Sequence, residues 1–410
     1  MHTLPNDSPP PEENPAQTTA SQVPLSPSRT IVIGLSGPSS SGKTTLARLL
    51  RSVFNVDVGG RVEADVDGKA KAKAPGREEK MKEATEDEGY HKLSLFILHQ
   101  DDFYKTDKDV PWVTISSSKY GTRTDQDWDC VGSLDLPLFR RTLTHIRDHG
   151  TLPPDNVSME DQNSVGDVHV TPDEVEAVKR RVKDWFERVI RDSPKSSKTR
   201  TLTRTNGAAT ATTTAAHEEV PREIRICILE GFLLFPPSPS DSSASFKTAA
   251  QGLAGDETTD LLELHDLTQS LLDVKLFLPC TKAQMIERRE RRTGYVTLEG
   301  FWKDPPGYVE DLVWVNYRRY HAWMYRDHAD NGDGDGEGEG EGEGGRKEEG
   351  HHQERDTDKS EASEEFDEEK CGREGVHLFL THEKGVGEGT MKECLDWGVE
   401  RVQEALTDLI

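Results

Sequence analysis

One short segment constrains the fold of this chain more than any other. Residues 37–44 read Gly-Pro-Ser-Ser-Ser-Gly-Lys-Thr and fit the pattern G-x-x-x-x-G-K-[ST]. A β-branched run at residues 30–35 precedes the segment, and apolar residues at helical spacing follow it over residues 46–54. A strand, a glycine-rich turn and a helix in this order predict a phosphate-binding loop, whose backbone amides and helix N-terminus attract anionic oxygens.

This pattern assigns nucleotide contacts to the loop itself. Lys43 is expected to reach the β- and γ-phosphates of a nucleotide, and the Thr44 hydroxyl is expected to ligate magnesium. The full set predicted to bind the nucleotide here is Gly37, Ser39, Ser40, Ser41, Gly42, Lys43, Thr44 and Thr45. A phosphate loop predicts nucleotide binding but does not by itself choose a reaction.

Composition locates the rest of the folded core. Only 33% of the 410 residues are hydrophobic, against about 45–50% in an ordinary globular domain. Five polar stretches account for the low fraction of hydrophobic residues: 1–28, 57–90, 191–222, 236–260 and 328–372. We expect a disordered tail over residues 1–28 and a single domain over residues 29–410. The other four stretches are expected to be low-complexity insertions, because such segments bury too little apolar surface to offset their ordering entropy.

The net charge and the cysteines restrict the classes of binding partner and the cellular compartment that we expect. A formal charge of −25 disfavours nucleic acid and anionic membranes as partners, and the sequence has no apolar run long enough to span a bilayer. The N-terminus lacks the apolar region of a secretory signal. The five cysteines form neither a disulfide framework nor a C-x-x-C pair. We expect an intracellular protein of the cytoplasm, with the nucleus as a second location, and protein partners of the acidic insertions remain unidentified.

Strand-like and helix-like segments alternate in the remaining sequence. Short β-branched or apolar runs predict five strands, at residues 30–35, 93–98, 224–229, 274–278 and 376–380. An amphipathic helix is predicted over residues 175–190. This alternation predicts an α/β fold, a doubly wound sheet of about five parallel strands like that of the P-loop NTPases, flanked by helices and carrying long insertions.

Two of the predicted strands run into acidic residues. The second is followed by Asp101 and the third by Glu230. In a doubly wound sheet, ligands lie beyond the carboxyl ends of the strands. Phosphoryl transfer to a hydroxyl uses a carboxylate near that hydroxyl and further acids at the metal. We therefore expect Asp101 to act on the acceptor hydroxyl and Glu230 to assist at the metal, with Lys43 as the third catalytic group.

A basic run, residues 287–292, stands out in so acidic a chain. Arg288, Arg289 and Arg292 are spaced to share part of a helix face and predict a lid over the triphosphate. The alternative is a solvated helix face with charge pairs at i,i+3 and i,i+4. The aromatic residues that follow at helical spacing are interpreted as packing: Trp314, Tyr317, Tyr320 and Trp323.

The motifs together favour a kinase that acts on a small molecule. The N-K-x-D motif typical of GTPases is absent, and a core of about 246 residues is small for a motor or a transport ATPase. A catalytically idle nucleotide-binding regulator, whose acidic insertions recruit partners, stays open as an alternative of a different class.

Longer strings resemble one family, the fungal nicotinamide riboside kinases. They keep the family's order over nearly all the core: Gly34-Leu35-Ser36-Gly37, Gln100-Asp101-Asp102-Phe103-Tyr104, Asp127-Trp128-Asp129, the run Glu230-Gly231-Phe232-Leu233-Leu234-Phe235, and residues 291–308. The resemblance implies transfer of the γ-phosphate of ATP, with Mg²⁺, to the ribose 5′-hydroxyl of nicotinamide riboside, a step of NAD synthesis. It also implies nicotinic acid riboside as a second substrate.

The resemblance implies individual roles as well. Asp101 corresponds to the catalytic base and, with Thr44, to a magnesium ligand. Trp128 corresponds to the aromatic that stacks on the nicotinamide ring, and Tyr295 to a second aromatic beside it. The set implied to contact the substrate is Asp101, Asp102, Phe103, Tyr104, Trp128, Asp129, Arg289 and Tyr295, in which Asp129 and Arg289 hold the ribose hydroxyls. Arg288 and Arg292 would face ATP.

Uridine/cytidine kinases form the nearest alternative. They share the phosphate loop and a similar end to the second strand, but they usually continue into a His-Pro segment where this chain has Asp127-Trp128-Asp129. A loop near residues 385–389, expected to contact adenine, matches the family poorly, so GTP stays open beside ATP.

Overall fold

The computed structural model describes residues 29–59, 91–160, 168–192, 204–205, 208–209, 223–239, 245–250, 255–292, 294–297, 300–326, 365–381 and 385–407. Its strands are β1 Arg29–Ser36, β2 Val56–Val58, β3 His91–His99, β4 Trp112–Ser117, β5 Gly121–Gln126, β6 Arg204–Thr205, β7 Ala208–Ala209, β8 Glu223–Gly231, β9 Val274–Phe277, β10 Tyr295–Thr297, β11 Gly300–Trp302 and β12 Val376–Leu378. Its helices are α1 Lys43–Phe54, α2 Leu136–His149, α3 Pro172–Asp192, α4 Ser245–Ala250, α5 Gly255–Leu271, α6 Lys282–Glu290, α7 Trp314–His321, α8 Glu368–Arg373 and α9 Met391–Thr407.

The central sheet has the spatial order β2-β3-β8-β1-β9-β12. Five of these strands are parallel and correspond to the five predicted strands, although β9 and β12 end at Phe277 and Leu378, short of the predicted ends at 278 and 380. The sixth, β2, pairs antiparallel with the edge of β3. The predicted α/β class is confirmed. Because β3, β8 and β1 are neighbouring parallel strands, their carboxyl ends meet on one edge, where ligands bind in such sheets.

Helices cover both faces of the sheet, and each face has its own apolar cluster. One cluster joins α1, α3 and α9 to one face through Leu50, Phe186 and Val399. The other joins α2, α5 and α7 to the opposite face. The aromatic residues interpreted as packing belong here, because Tyr317, Tyr320 and Trp323 are buried in the second cluster and Trp314 packs against it. Strands this deeply covered read as continuous apolar runs, which explains why the sequence located them.

The structure differs from the expected insertions at several edges. The stretch 236–260 contains α4 and the start of α5, whose Leu261, Leu264 and Leu267 are buried at helical spacing. Composition alone missed these helices because their first turns are polar. The stretch 57–90 likewise begins inside β2. The tail at residues 1–28 and most of 57–90, 191–222 and 328–372 lie outside the described residues, so the division into tail, domain and insertions stays a prediction.

Candidate active site

The phosphate loop joins β1 to α1 through a backbone that requires glycine at two positions. Gly37 and Gly42 have φ values of +152° and +105°, which side chains rarely adopt. A Cβ atom at Gly37 would also lie 2.2 Å from the Leu278 carbonyl oxygen. Within the described residues, the buried hydroxyl oxygens of Ser40 and Ser41 have no hydrogen-bond partner. Donors held around a turn in this way suit an anionic ligand with several oxygens.

Lys43 begins α1 and points back into the loop. Its Nζ donates a hydrogen bond to the Pro38 carbonyl at 2.9 Å, and the side chain is buried. Burial lowers the pKa of Lys43, while the charges of Glu230 and Asp101 act to raise it. The ammonium therefore has acidic neighbours and lies at the foot of the loop, where it can reach an anion seated on the loop.

Thr44 and Glu230 are linked across the sheet edge. Thr44 Oγ1 donates to Glu230 Oε1 at 2.9 Å, and His99 Nδ1 lies 2.7 Å from the same oxygen. The register explains the second contact, because His99 pairs with Glu230 in the parallel ladder of β3 and β8. Burial alone would lower the pKa of His99, but the hydrogen bond and charge of Glu230 outweigh it and raise that pKa to about 9.

Glu230 remains ionised in this arrangement. Burial alone would raise its pKa, but the hydrogen bond and charge of His99, followed by Lys43 and Thr44, hold the pKa below its usual value. The end of β8 is further held by Gln100, whose side chain accepts from the Leu233 amide and donates to the Leu233 carbonyl. The carboxylate is thus fixed in charge and in position.

Asp101 follows β3 and faces the same space. Burial raises its pKa to about 8, and the charges of Glu160 and Glu230 add to this, while Lys43 and His99 oppose it. A carboxyl group with a raised pKa is a stronger proton acceptor than an ordinary one and suits general-base chemistry near neutral pH. Its position beside Lys43 and Glu230 puts it next to the phosphate loop.

Aromatic rings form the opposite wall of the cleft. The Trp128 ring lies edge-on to Tyr104, with centroids 5.4 Å apart, and 5.9 Å from the ring of Trp302. Phe232 stacks on Tyr104 at 6.0 Å. The Trp128 backbone amide donates a hydrogen bond to the Tyr308 hydroxyl oxygen at 3.1 Å, which fixes the backbone that carries the indole ring. Such a wall suits a flat ring, and aromatic faces favour one that carries positive charge.

An acid–arginine group connects the aromatic wall to the phosphate loop. Arg289 donates through Nε and Nη2 to the two carboxylate oxygens of Asp304, at 2.8 and 3.1 Å. Its Nη1 donates to Ser39 Oγ at 2.8 Å and lies 3.7 Å from Asp129 Oδ1. Asp129 is buried, and burial raises its pKa although Arg289 opposes this. A buried carboxylate beside a guanidinium can accept hydrogen bonds from a pair of hydroxyls.

These groups line one cleft of about 1020 Å³, part of which opens to solvent. The structure brings together there twelve of the residues predicted from the sequence: Ser39, Ser40, Lys43, Thr44, Asp101, Asp102, Tyr104, Trp128, Asp129, Glu230, Arg289 and Arg292. Gly37, Ser41, Gly42 and Thr45 belong to the phosphate loop and the first turn of α1 but do not line the cleft. The Tyr295 side chain lies outside the described residues, so its role stays a prediction.

Two predicted residues are placed differently from the expectation. Phe103 is buried in the apolar cluster beside α2, with its ring centroid 4.9 Å from that of Phe139, and does not reach the cleft. The one-turn 3₁₀ helix after β3 turns its ring into the core, and the substrate role assigned to Phe103 stays a prediction that this placement does not support. Asp102 lines the cleft, but its Oδ1 accepts from the backbone amides of Met159 and Glu160.

The lid arginines divide between two places. Arg292 lies in the cleft wall. Arg288 Nη2 donates to the Gly387 carbonyl at 3.5 Å, in the loop expected to contact adenine. Gln284 Nε2 also reaches that loop, at Glu388 Oε1. The basic run is therefore tied to residues 385–390 on one side and to the phosphate loop on the other.

Sequence reasoning missed several groups in the cleft or directly beside it. Trp302 and Asp304 lie in a string that resembles the family, but no role followed from it. Glu160 was missed because it is one acid in a polar segment with no pattern, and only the fold brings it to β3. His99 gave one usable signal, since it directly precedes the acid-bearing string after the second strand.

The donor set fits a magnesium ion that is held chiefly by a nucleotide. Within the described residues, no three His, Cys, Asp or Glu side chains converge as a metal site. Mg²⁺ prefers oxygen ligands, keeps several waters and commonly uses one or two protein oxygens together with substrate phosphates. Thr44 can ligate such an ion through its oxygen while its hydroxyl group still donates a hydrogen bond to Glu230, and Asp101 supplies an ionisable oxygen nearby.

Comparison with known proteins supports the resemblance seen in the motifs. No protein-family model matches the chain. Three curated fungal proteins, each named nicotinamide riboside kinase, are similar to it. That of Schizosaccharomyces pombe is 27% identical over 297 residues, covering 72% of this chain and 81% of the relative. That of Saccharomyces cerevisiae is 25% identical over 298 residues (72% and 80%), and that of Eremothecium gossypii 23% over 298 residues (73% and 78%). The resemblance to the fungal nicotinamide riboside kinases is confirmed.

Among the described helices, none combines the length and the apolar content that crossing a membrane requires.

Proposed function

We propose that this protein is a magnesium-dependent kinase that transfers the γ-phosphate of ATP to the 5′-hydroxyl of nicotinamide riboside and so makes the mononucleotide for NAD synthesis. The observation that carries the proposal is the single cleft that joins a phosphate loop, an ionisable Asp101 and an aromatic wall around Trp128. Each of the three parts matches one part of the reaction: the triphosphate, the acceptor hydroxyl and the pyridinium ring.

The proposed chemistry assigns one task to each group. Lys43 neutralises charge on the β- and γ-phosphates. Asp101 accepts the proton of the 5′-hydroxyl while the hydroxyl oxygen bonds to the γ-phosphorus and ADP departs. Thr44 and Asp101 hold the magnesium ion, which neutralises phosphate charge when bound, and Glu230 orients Thr44. Because little covalent chemistry falls to the protein, the rate depends on positioning and charge.

The substrate half of the cleft is proposed to bind the riboside in two parts. Trp128 stacks on the cationic ring, as aromatic faces do with cations, and Tyr104 packs against Trp128 edge-on. Asp129 accepts hydrogen bonds from the ribose 2′- and 3′-hydroxyls, and Arg289 supports the same ribose. No residue in the sequence was assigned to recognise the carboxamide group of the nicotinamide ring. Nicotinic acid riboside, which has a carboxylate there, is therefore proposed as a second substrate.

The nucleotide half is proposed to take ATP, with GTP as the competing nucleotide. Arg292 faces the phosphates from the cleft wall, and Arg288 reaches the loop at Gly387. A cytoplasmic location is part of the proposal, because all five cysteines are buried free thiols, as is usual in a reducing compartment. The nucleus remains the second location, and nucleic acid is not proposed as a partner.

A nucleoside panel tests the proposal. Purified protein is incubated with Mg²⁺ and either ATP or GTP, and with nicotinamide riboside, nicotinic acid riboside, uridine or cytidine, and the phosphorylated product is measured. We expect turnover of both pyridine ribosides. Phosphorylation of uridine with nicotinamide riboside untouched would replace the proposal by a uridine/cytidine kinase.

Asp101→Asn separates an enzyme from a nucleotide-binding regulator. The amide cannot accept the proton, so turnover should fall by about 10²- to 10⁴-fold, whereas a regulator would keep its binding functions. Lys43→Ala should also lower the turnover rate strongly, because the contact with the β- and γ-phosphates is lost. Wild-type turnover in the Lys43→Ala protein would show that the phosphate-loop assignment is wrong.

A further inference from the structure

A short turn at residues 158–160 enters the cleft from a segment that no motif singled out. Asp102 Oδ1 accepts hydrogen bonds from the Met159 amide at 2.8 Å and from the Glu160 amide at 3.1 Å. Ser158 also hydrogen-bonds Asp102. From the other side, Arg48 Nη2 on α1 donates to the Glu160 carbonyl at 3.3 Å. The turn is therefore held both at the end of β3 and on the helix that follows the phosphate loop.

The turn places the Glu160 side chain among the catalytic groups. Glu160 is 7% exposed and lines the cleft together with Thr44, Asp101 and Glu230. Asp101 and Glu160 are therefore two carboxyl groups of one partly enclosed space. Arg48 lies one helical turn after Thr44 on α1, which brings Glu160 to the Thr44 side of the phosphate loop.

Acidic side chains outnumber basic ones in the lining of the cleft, six to four. Glu160, Asp101 and Glu230 share this partly enclosed space, whose cationic lining is Lys43, Lys105, Arg289 and Arg292. Like charges held together in such a space are costly unless a further cation compensates for them. A nucleotide arrives with a divalent cation, and the buried Ser41 hydroxyl, which has no partner among the described residues, independently marks the adjoining loop as a ligand site.

We propose that Glu160 is a positioning residue of the catalytic centre, whose carboxylate accepts hydrogen bonds from water molecules on the magnesium ion of the bound nucleotide. Asp102 is then the anchor that holds Glu160 in place, rather than a contact of the substrate. The inference rests on the proposed function only in requiring a magnesium nucleotide. Contact through water agrees with the lack of three converging acidic or histidine ligands among the described residues, and outer-shell groups of this kind tune metal affinity.

Glu160→Gln tests the proposal, because it keeps the size of the side chain and removes its charge. Binding of a non-hydrolysable ATP analogue is measured by calorimetry, once with Mg²⁺ and once with EDTA. We expect the variant to bind the magnesium form about 10-fold more weakly, within the range for outer-shell metal partners. In EDTA it should bind as tightly as the wild type or more tightly, since a negative charge near the phosphates is gone.

Two further variants and a second readout complete the design. Glu160→Asp keeps the charge and should recover part of the magnesium affinity. Glu263→Gln removes a carboxylate on the outer face of α5, paired with Arg140, and should change nothing. Electron paramagnetic resonance of Mn²⁺ in the protein–analogue complex should show the weakest metal affinity for Glu160→Gln, an intermediate one for Glu160→Asp and the wild-type affinity for Glu263→Gln.

Equal weakening with Mg²⁺ and with EDTA would overturn the proposal, because it would mean that Glu160 only supports the fold of the turn. Unchanged binding in both conditions would overturn it as well. Neither result depends on a riboside. If the wild type binds the magnesium analogue but phosphorylates no pyridine riboside, the proposed function fails and the role of Glu160 stands.

Discussion

At the scale of single residues, Trp128 is the group most specific to the proposed substrate. Its side chain is 8% exposed and lines the cleft, and it contacts Tyr104 and Trp302. The indole Nε1 is buried and has no hydrogen-bond partner among the described residues. The ring is therefore held by packing alone, and its remaining surface is available to a ligand.

Trp128→Leu should weaken binding of nicotinamide riboside through loss of the aromatic face. A cation–π contact contributes about 0.5–2 kcal/mol, so KM should rise roughly 2- to 30-fold, with KM for ATP unchanged. Trp128→Phe should keep most of the affinity. Steady-state kinetics of the purified variants provide the measurement.

Trp112→Leu is the matched control, since Trp112 is 64% exposed on β4 and does not line the cleft. Its KM should equal that of the wild type. An unchanged KM for nicotinamide riboside in Trp128→Leu would contradict the stacking role.

The same scale shows which residues sequence could predict. Lys43, Thr44 and Asp101 follow from local spacing, because a phosphate loop and a strand end define their own geometry. Glu160 does not, since its position depends on hydrogen bonds to Asp102, 58 residues away. Phe103 shows the opposite case: its string resembles the substrate site, but the backbone turns its ring into the apolar core, which local spacing does not reveal.

At the scale of elements, the segment after β11 holds α6 in place. Asp304 binds Arg289 through both carboxylate oxygens and also accepts from Trp302 Nε1 at 3.0 Å. Burial would raise the pKa of Asp304, but Arg289 and Trp302 outweigh it and lower that pKa. The sequence placed the arginines on a helix but could not show that an acid from the next hairpin would hold one of them.

Asp304→Ala should release Arg289 from its bidentate contact. Hydrogen bonds between charged groups contribute about 1.5–3 kcal/mol, so KM for the riboside should rise about 10-fold or more, while kcat changes less. Glu310→Ala removes a neighbouring acid that pairs with exposed Lys119 and should leave KM unchanged. Equal kinetics for Asp304→Ala and the wild type would show that Arg289 needs no such support.

Helix α7 carries a pH-sensitive contribution to stability at His321. Burial lowers the pKa of His321 to about 4, and its Nδ1 lies 2.9 Å from the Tyr317 carbonyl. In the unfolded chain the pKa is near 6.5, so between pH 6.5 and 4 the unfolded state binds a proton that the folded state does not. The stabilising contribution is complete above pH 6.5 and is lost as the pH falls towards 4, to a total of about 3 kcal/mol.

His321→Gln should flatten this pH dependence. Urea unfolding at pH 7, 6 and 5 gives the free energy of unfolding, which should fall less steeply for the variant than for the wild type. Exposed His149 offers the control, because His149→Gln should keep the wild-type slope. Identical slopes for His321→Gln and the wild type would contradict a buried neutral histidine.

At the scale of the whole molecule, the acidic charge is concentrated in one stretch of the sequence. Residues 330–370 carry eighteen acids and five bases, a net charge of −13, about half of the total of −25. The described residues on either side of 327–364 meet: Tyr325 and Phe366 form an antiparallel bridge, and the Arg326 amide donates to the Glu365 carbonyl at 3.0 Å. Composition located this stretch but could not show that both of its ends are fixed to each other.

Excision of residues 331–360 should therefore leave activity intact. Joining 330 to 361 leaves eight residues between Arg326 and Glu365, and shortening a loop whose ends already meet lowers its closure entropy. The thermal midpoint, kcat and KM should match those of the full chain.

Excision of residues 331–368 should instead destabilise the protein, because it also removes Phe366, which stacks on Tyr325, and Asp367, which caps α8 through the Lys370 amide. Losses of about 3–5 kcal/mol for such a ring and about 1 kcal/mol for a cap predict a midpoint lower by many degrees. A loss of activity in the shorter excision would give the acidic stretch a direct part in catalysis.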